Sequence, residues 1–285
     1  MEPKIKIKEK TKMKLRKILA LAAAAALMAV SVAGCSEKKS DDAAATTSAA
    51  NNDAAQDNTA SAGTIKFGTN AEFPPFEFVA ANGVIDQYDG IDIAIAKQIA
   101  DDNNMTPVIE NMEFDSLLIA LQNGQIDAVI SGMTATDERR ESVDFSTTYY
   151  TAKQVMIVKE DSAIEKASDM ADKKIVVIQG YTGETCVKDF GYPYEAFKKG
   201  TEAILELING KCDVVVIDSA TALKYVGDNE GLKIVEDNDA FESEEYGIAV
   251  AKGNTEMLDK INATVEKMLA DGTINELSAK YAEAE

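Results

Sequence analysis

The sequence predicts an α/β protein with mostly parallel sheets. Short runs rich in valine and isoleucine alternate along the chain with segments of helical period. Several of the apolar runs end in small or polar residues, at the strand ends where α/β sheets bind their ligands. A chain of 285 residues is also long enough to form more than one lobe.

The first elements follow from spacing and capping residues. Residues 64–70 form a short apolar strand, and 88–104 place isoleucines every four residues, as on one face of a helix. Asp115 and Thr136 are suitable N-cap residues for two further helices. We expect a strand, a helix, a buried strand and a short helix at 107–114, 115–125, 126–133 and 136–143.

The alternation continues through the second half of the chain. The same patterns predict strands at 151–160, 174–180, 212–218, 232–237 and 245–252, and helices at 184–190, 200–210 and 219–229. The tail after residue 254 has the pattern of two helices around Gly272. Strands alternating with helices in this way favour parallel pairing.

The N-terminal segment, 1–34, has the pattern of a secretory signal. Eight of the first 17 residues are basic, and an apolar run rich in Leu and Ala follows. The run ends in Val-Ala-Gly before Cys35, which resembles the lipobox of bacterial lipoproteins, where the signal is cut before a cysteine that receives a lipid. The alternative is a single-span anchor with a chance cysteine, although a span needs roughly 20 apolar residues.

Residues 35–63 are predicted to be a flexible tether. From Ser36 onward the stretch contains no aromatic residue and no Leu, Ile or Val. The signal segment holds eight basic and two acidic residues, so its removal changes the formal net charge from −20 to −26. A surface this acidic repels nucleic acid and anionic lipid.

Several kinds of chemistry are excluded by composition. The chain contains no histidine, which removes Ser-His and Cys-His nucleophile pairs and His-containing metal sites. The "GYTG" stretch lacks the lysine of a phosphate-binding loop. Cys186 and Cys212 are expected at opposite ends of the predicted parallel strands, too far apart to pair, and thus as two buried free thiols. We expect no cofactor, no metal and no catalytic residue.

Five stretches together resemble one family. "GTNAEFPPFEF" (68–78), "YDGIDIAIAKQIA" (88–100), "FDSLLIALQNGQIDAVISGMTATDERRESVDFSTTYY" (114–150), "VIQGYTGET" (177–185) and "GKCDVVVID" (210–218) are similar to the polar amino-acid-binding proteins of bacterial ABC importers, solute-binding protein family 3. The resemblance implies a two-lobe clamshell of the type II periplasmic-binding-protein fold. Lobe one would comprise 64–152 plus 247–285 and lobe two 153–246, with two hinge strands near 151–155 and 245–249.

The resemblance assigns Arg139 to the carboxylate of a free amino acid. A planar guanidinium can hold a carboxylate through two parallel hydrogen bonds, which lysine cannot reproduce. Thr134 and the backbone around Ser131 and Gly132 would assist, because small side chains let amide groups approach. The neighbouring Arg140 is expected to be a surface residue.

The remaining site residues are assigned by the same resemblance. Asp218 would accept the ligand ammonium, although it could also cap the helix that follows. Tyr181 and Thr182 would approach the carboxylate from lobe two, with less support for Tyr181 because relatives often have threonine there. Phe73 and Phe114 would sandwich the ligand side chain, or else simply fill the core.

Ligand preference is expected to depend on Asn70. Relatives that bind lysine, arginine or histidine often have aspartate at this position, and a carboxylate would pair with a cationic side chain. A neutral amide offers hydrogen bonds without charge. We therefore favour an uncharged polar amino acid, such as glutamine, serine or cysteine/cystine, over a basic one.

The function implied is that of the extracytoplasmic binding component of an ABC importer. The protein would be a monomer, anchored to the cell membrane by lipid, that delivers its amino acid to permease subunits. One alternative is a sensory amino-acid-binding module. The other is a dehydratase of small carboxylates on the same scaffold, with Glu184 or Glu72 as acid or base.

Substituting Cys35 with alanine tests the lipid anchor. We expect the variant to fold and to leave the membrane fraction, because the sulfur that would carry the lipid is gone. Cell fractionation followed by immunodetection measures this, with Ser36→Ala as a matched control. An unchanged distribution of the Cys35→Ala variant would contradict the lipoprotein interpretation.

Overall fold

The computed structural model describes residues 63–282. The predicted signal segment, Cys35 and all but the last residue of the tether lie outside the described residues. Between residues 63 and 282 no helix is long and apolar enough to cross a membrane.

The described chain alternates strands and helices, as predicted. The strands are Thr64–Thr69 (β1), Glu72–Phe73 (β2), Glu77–Val79 (β3), Tyr88–Asp89 (β4), Thr106–Asn111 (β5), Ala128–Val129 (β6), Val143–Phe145 (β7), Tyr150–Lys159 (β8), Ile175–Ile178 (β9), Tyr194–Phe197 (β10), Val214–Asp218 (β11), Leu232–Val235 (β12), Ser243–Tyr246 (β13) and Ala249–Ala251 (β14). The α-helices are Ile91–Asp102 (α1), Leu117–Gln122 (α2), Asp137–Ser142 (α3), Thr182–Asp189 (α4), Gly200–Ile208 (α5), Ser219–Asp228 (α6), Thr255–Ala270 (α7) and Thr273–Ala282 (α8).

Two larger sheets organise these elements, which confirms the α/β prediction. The sheet of lobe one has the order β5-β1-β6-β14-β7, and that of lobe two has the order β10-β9-β11-β8-β12. Strand β1 is parallel to β5 and β6, and β9 is parallel to β10 and β11. Strands β14 and β8 run antiparallel to their neighbours, so the sheets are mixed and the prediction of mostly parallel sheets is wrong. Apolar side chains between sheets and helices form the core, where full burial stabilises by about 1.5–3 kcal/mol each.

A pair of antiparallel strands connects the two sheets. The first residues of β8 pair with β13, with Tyr150 opposite Tyr246 and Lys153 opposite Ser243, while the rest of β8 pairs with β11 and β12. The strand predicted at 245–252 is in fact two strands. Its first part belongs to β13, and its second part is β14 in the other sheet. Gly247 and Ile248 separate the two strands.

Helix caps were predicted with mixed success. The Thr136 hydroxyl accepts the Arg139 amide, which confirms the cap of α3. The cap predicted at Asp115 is wrong, because Ser116 holds that position and no side chain caps α2. The Asp115 carboxylate instead accepts a 2.9 Å bond from the Gln179 side chain in lobe two. The small sheet β2-β3-β4 and the edge strand β10 were not predicted.

The two cysteines are free thiols in different surroundings. Cys212 is buried just before β11, whereas Cys186 in α4 is only half-buried, so the prediction of two buried thiols is wrong for Cys186. Burial raises the pKa of the Cys186 thiol to about 12 and that of Cys212 to about 11. Both therefore remain protonated and unreactive at neutral pH.

Two fully buried carboxylates support the loop that follows β6. Glu77 accepts from the Ser131 hydroxyl at 2.7 Å, and Asp92 accepts from the Gly132 amide at 2.7 Å and the Tyr149 hydroxyl at 2.9 Å. The other oxygen of each carboxylate has no hydrogen-bond partner among the described residues, and the two groups influence each other's protonation. Burial raises the pKa of Asp92 to about 6 and that of Glu77 well above its usual value. One proton shared between them would satisfy both groups.

Replacing Glu77 with glutamine should mimic its protonated form. Because the folded-state pKa values are raised, the stability from this pair is full below about pH 4 and declines as pH rises through about 6. We expect Glu77→Gln to reduce that decline by about 1–3 kcal/mol between pH 5 and pH 8. Urea unfolding at both pH values measures it.

Glu77→Ala provides the contrast, because it leaves the Ser131 hydroxyl and Asp92 without their partner. We expect this variant to be less stable than the parent at both pH values by about 1–3 kcal/mol. If Glu77→Gln lost stability to the same extent as Glu77→Ala, the shared proton would be refuted.

Candidate functional site

Nine of the ten predicted binding residues surround one small cavity between the lobes. The cavity measures about 10 Å³, space for no more than a water molecule. Its walls are Phe73, Phe114, Ser131, Gly132, Thr134, Arg139, Tyr181, Thr182 and Asp218. Asn70, the tenth predicted residue, does not line the cavity but accepts a 3.1 Å hydrogen bond from the Tyr181 hydroxyl. The lobes are thus closed upon each other in this structure.

The Arg139 guanidinium joins the lobes. Its Nη1 donates to the Thr134 carbonyl at 2.8 Å, and its Nη2 donates to the Gly180 carbonyl in lobe two at 2.9 Å. The guanidinium carbon lies 5.2 Å from the centre of the Phe114 ring. Burial lowers the pKa of Arg139, and the negative charges of Glu244 and Asp218 oppose that shift. The remaining N–H groups of the fork are available to a bound carboxylate.

Two threonine hydroxyls from opposite lobes meet at Glu244. Thr134 Oγ1 donates to Glu244 Oε2 at 2.8 Å, and Thr182 Oγ1 donates to the same oxygen at 2.7 Å. The Gln154 amide nitrogen donates to Thr182 Oγ1 at 3.0 Å and approaches Glu244 at 3.4 Å. The two hydroxyls expected to hold a ligand carboxylate therefore hold a carboxylate of the protein.

Asp218 lies at the end of β11 with 3 % of its surface exposed. It occupies the N-cap position of α6, but its side chain makes no capping bond. The carboxylate accepts instead from the Tyr246 hydroxyl. Burial first, and then the charge of Glu244, raise the pKa of Asp218 to about 7. A cation placed beside Asp218 would favour its ionised form.

Tyr181 occupies the space between the two phenylalanines predicted to hold the ligand side chain. The centre of its ring lies 5.2 Å from that of Phe73 and 4.5 Å from that of Phe114, edge to face in both cases. Its hydroxyl donates to Asn70 Oδ1, while Asn70 Nδ2 donates to the Met112 carbonyl at 2.9 Å. The Asn70 amide is thus engaged by the protein as long as Tyr181 stays in place.

Gly132 is placed where no side chain fits. Its φ of +49° is left-handed, and an added Cβ would lie 2.5 Å from a Phe73 ring carbon. Its amide donates to Asp92 and faces away from the cavity, contrary to the expectation for that amide. The Ser131 hydroxyl accepts from the backbone N–H of Asn70 at 3.0 Å and donates to Glu77.

Arg140, predicted to lie on the surface, and Glu184 and Glu72, the candidate acid or base of the enzyme alternative, have other partners. Arg140 is exposed, donates to the Ala135 carbonyl and lies over the Phe145 ring. Glu184 accepts from the Gly180 amide and the Tyr194 hydroxyl, and Glu72 pairs with Lys199 of lobe two at 3.1 Å. Neither carboxylate lines the small cavity.

Sequence reasoning missed three residues of this cluster. Glu244 and Tyr246 project from β13, and Gln154 projects from the facing strand β8. The only sequence feature that could have indicated them is their position in the two strands predicted to join the lobes. The alternation of β13 places residues 244 and 246 on one face, but nothing local indicates that this face meets the cleft.

Comparisons with known proteins agree on the family. Residues 65–284 match the sequence profile of the bacterial extracellular solute-binding proteins, family 3. The arginine-binding extracellular protein ArtP of Bacillus subtilis is 32 % identical, over 75 % of this chain and 84 % of that protein. A probable histidine-binding protein of Neisseria gonorrhoeae is 34 % identical, over 76 % of this chain and 82 % of that protein.

Two solved structures are also similar to this chain. An ancestral arginine-binding protein bound to glutamine is 43 % identical with a TM-score of 0.71, over 76 % of this chain and 97 % of that one. An ancestral arginine-binding protein bound to arginine is 42 % identical with a TM-score of 0.71, over 78 % of this chain and 99 % of that one. The fold, the profile and the relatives place this chain among solute-binding proteins rather than enzymes. The chain belongs to the bacterial extracellular solute-binding proteins of family 3.

Proposed function

We propose that the protein captures a free amino acid between its lobes and delivers it to the permease of an ABC importer. The observation that carries the proposal is the grouping of Arg139, Thr134 and Thr182 opposite Asp218 around one cavity. Guanidinium and hydroxyl donors suit an α-carboxylate, and a buried carboxylate suits the α-ammonium. A free amino acid carries its carboxylate and its ammonium on one carbon, so it can contact the donors and Asp218 at the same time.

Binding in this scheme requires the lobes to part. The closed cavity of about 10 Å³ is far smaller than an amino acid. Tyr181 would leave the space between Phe73 and Phe114, and the ligand side chain would enter it. Closure over the ligand would follow by rotation about β8 and β13, the pattern of hinged binding proteins.

We favour an uncharged polar ligand. The part of the site proposed for the ligand side chain is formed by Phe73, Phe114, Tyr181 and the Asn70 amide, which carry no formal charge. Lys199 pairs with Glu72, the acidic residue of β2. Glutamine, serine or cystine could use the amide of Asn70 once Tyr181 has moved.

A basic ligand is the second candidate, favoured by the printed names of relatives that bind arginine or histidine. An ancestral arginine-binding protein is bound to arginine in one structure, and an ancestral arginine-binding protein is bound to glutamine in another, which supports a scaffold that admits both kinds of side chain. In this chain Asp115, which accepts from Gln179, or Glu72 would have to change partner to pair with a cation.

The protein would act as a monomer held outside the cytoplasm. Cys35 would carry the lipid after cleavage of residues 1–34, and the polar tether would let the two lobes reach the permease. The lobe boundaries given above are part of this proposal. A sensory role without transport would use the same binding chemistry, and loss of uptake on gene deletion would exclude it.

Arg139 and Arg140 provide a matched pair for testing the carboxylate site. Arg139→Met should raise the dissociation constant by roughly two to four decades, because it removes a charged partner worth about 3–5 kcal/mol. Arg139→Lys should also weaken binding strongly, because a point charge lacks the fork. Arg140→Met should change affinity by less than about threefold, as expected of an exposed charge.

Isothermal titration with the amino acid that binds best makes this measurement. Removal of any copurified ligand by dialysis from denaturant comes first. If substitution of Arg140 weakened binding and substitution of Arg139 did not, the assignment of binding roles to residues 131–140 would be wrong.

A titration of the twenty amino acids and cystine tests the ligand class. We expect an uncharged polar amino acid to bind tightest, and Asn70→Asp to shift the preference toward arginine or lysine by about tenfold or more because it supplies a carboxylate. Asn209→Asp adds the same charge on the exposed end of α5 and serves as control. Tightest binding of a basic amino acid to the parent protein would refute the neutral preference without affecting the proposed capture.

A further inference from the structure

We propose that Gln154 is a positioning residue for ligand binding, whose buried side-chain amide holds Thr182 and Asp218 in place for the bound amino acid. This inference rests on the proposed function, which assigns Thr182 to the ligand carboxylate and Asp218 to the ligand ammonium. Gln154 is 1 % exposed and is not among the residues that line the cavity. It would therefore act through the two residues that do line it.

Strand pairing brings the three residues together within lobe two. Gln154 lies directly opposite Asp218 where β8 pairs with β11, and opposite residues of an antiparallel pair project from the same face of the sheet. Thr182 is the first residue of α4, which packs against β11. Because all three residues belong to one lobe, their arrangement does not depend on the distance between the lobes.

The donor end of the Gln154 amide faces the polar side chains. Its Nε2 donates to Thr182 Oγ1 at 3.0 Å and to Glu244 Oε2 at 3.4 Å. An ionised carboxylate can only accept, so this orientation of the amide is the one that suits Glu244. Burial first, and then the charge of Glu244, raise the pKa of Asp218 to about 7, whereas the Tyr246 hydroxyl and the Gln154 amide oppose that rise.

Gln154 also sets the direction of the Thr182 hydroxyl. Because Thr182 Oγ1 accepts from Gln154, its single proton points away from the amide, and it is donated to a carboxylate oxygen of Glu244 at 2.7 Å. A hydroxyl that accepts a hydrogen bond becomes a stronger donor, since successive hydrogen bonds polarise one another. The amide thus prepares Thr182 to donate to a carboxylate.

The other end of the Gln154 side chain favours a role in binding over a role in packing. Its Oε1 is buried and has no hydrogen-bond partner within residues 63–282, which lowers stability. A methionine or leucine side chain would fill a similar space without that cost. Gly183 provides the room, because an added Cβ there would lie 2.7 Å from Oε1. A buried polar group that is kept at a cost in stability calls for a functional explanation.

Gln154→Met tests the role, because it keeps the length of the side chain and removes the amide. We expect its affinity for the best amino acid of the panel to fall about tenfold at pH 7. The urea midpoint should stay the same or rise, since the unpaired oxygen is gone. Gln122→Met changes an exposed glutamine at the end of α2 and should alter affinity by less than twofold. Isothermal titration and urea unfolding make these measurements.

The pH dependence of affinity separates positioning from packing. Asp218 must be ionised to hold an ammonium, so the parent should lose affinity as the pH falls through about 7. Without the Gln154 amide the pKa of Asp218 is higher, and the loss should begin at a higher pH. The other titratable groups that interact with Asp218 are unchanged in the variant: Glu244 and Tyr246 of β13, Tyr150 of β8, Arg139 of α3, Glu77 of β3, Cys186 of α4 and Tyr181 at its N-cap.

Three results would count against the inference. Unchanged affinity and an unchanged pH profile in Gln154→Met would overturn it. Weaker binding that came with a lower urea midpoint and an unshifted pH profile would also overturn it, because this combination marks a packing role. If the parent bound no amino acid, the proposed function would fail and the inference with it, whereas binding by the parent supports the proposed function whatever the variant does.

Discussion

Two buried carboxylates, which together can hold one proton, support the loop on which the candidate site is built. Glu77 and Asp92 come from different elements, β3 and α1, and between them they hold the Ser131 hydroxyl and the Gly132 amide. Without that proton, two negative charges would face each other away from water, at a cost that few folds tolerate. With it, Gly132 is held against the Phe73 ring. The positions of Thr134 and Arg139, which come next in the chain, are then fixed relative to the cavity.

The candidate site is almost saturated with its own hydrogen bonds. The Asn70 amide, the Thr134 and Thr182 hydroxyls, Asp218 and part of the Arg139 fork all have partners within the chain. Ligand binding in such a cleft is an exchange, in which contacts within the protein are replaced by contacts to the ligand. The net affinity is then a small difference between large terms, and single polar substitutions can shift it in either direction.

Local sequence patterns were sufficient for much of the fold. The isoleucine spacing of α1, the Thr136 cap and the strand-helix alternation are short-range features, and the structure has them. The resemblance named ten residues as the site, and nine surround one cavity. Asp115, Glu244 and Tyr181 could not be interpreted in the same way, because their partners lie in the other lobe and come from distant parts of the sequence. Likewise, the strand predicted at 245–252 splits because its two halves pair with different sheets, which a local pattern does not reveal.

The strands that join the lobes also carry the central polar residues, and this has a mechanical consequence. Glu244, Tyr246 and Gln154 lie on β13 and β8, which form the axis about which the lobes would turn. Points near an axis travel little when a hinge opens. The contacts of Lys199 with Glu72 and of Gln179 with Asp115 come from segments outside these two strands. A small rotation would therefore separate these two contacts first, and the hydrogen bonds of Glu244 would break last. The cleft can thus be partly open, with its outer edge accessible to solute while the hydrogen bonds of Glu244 are still intact.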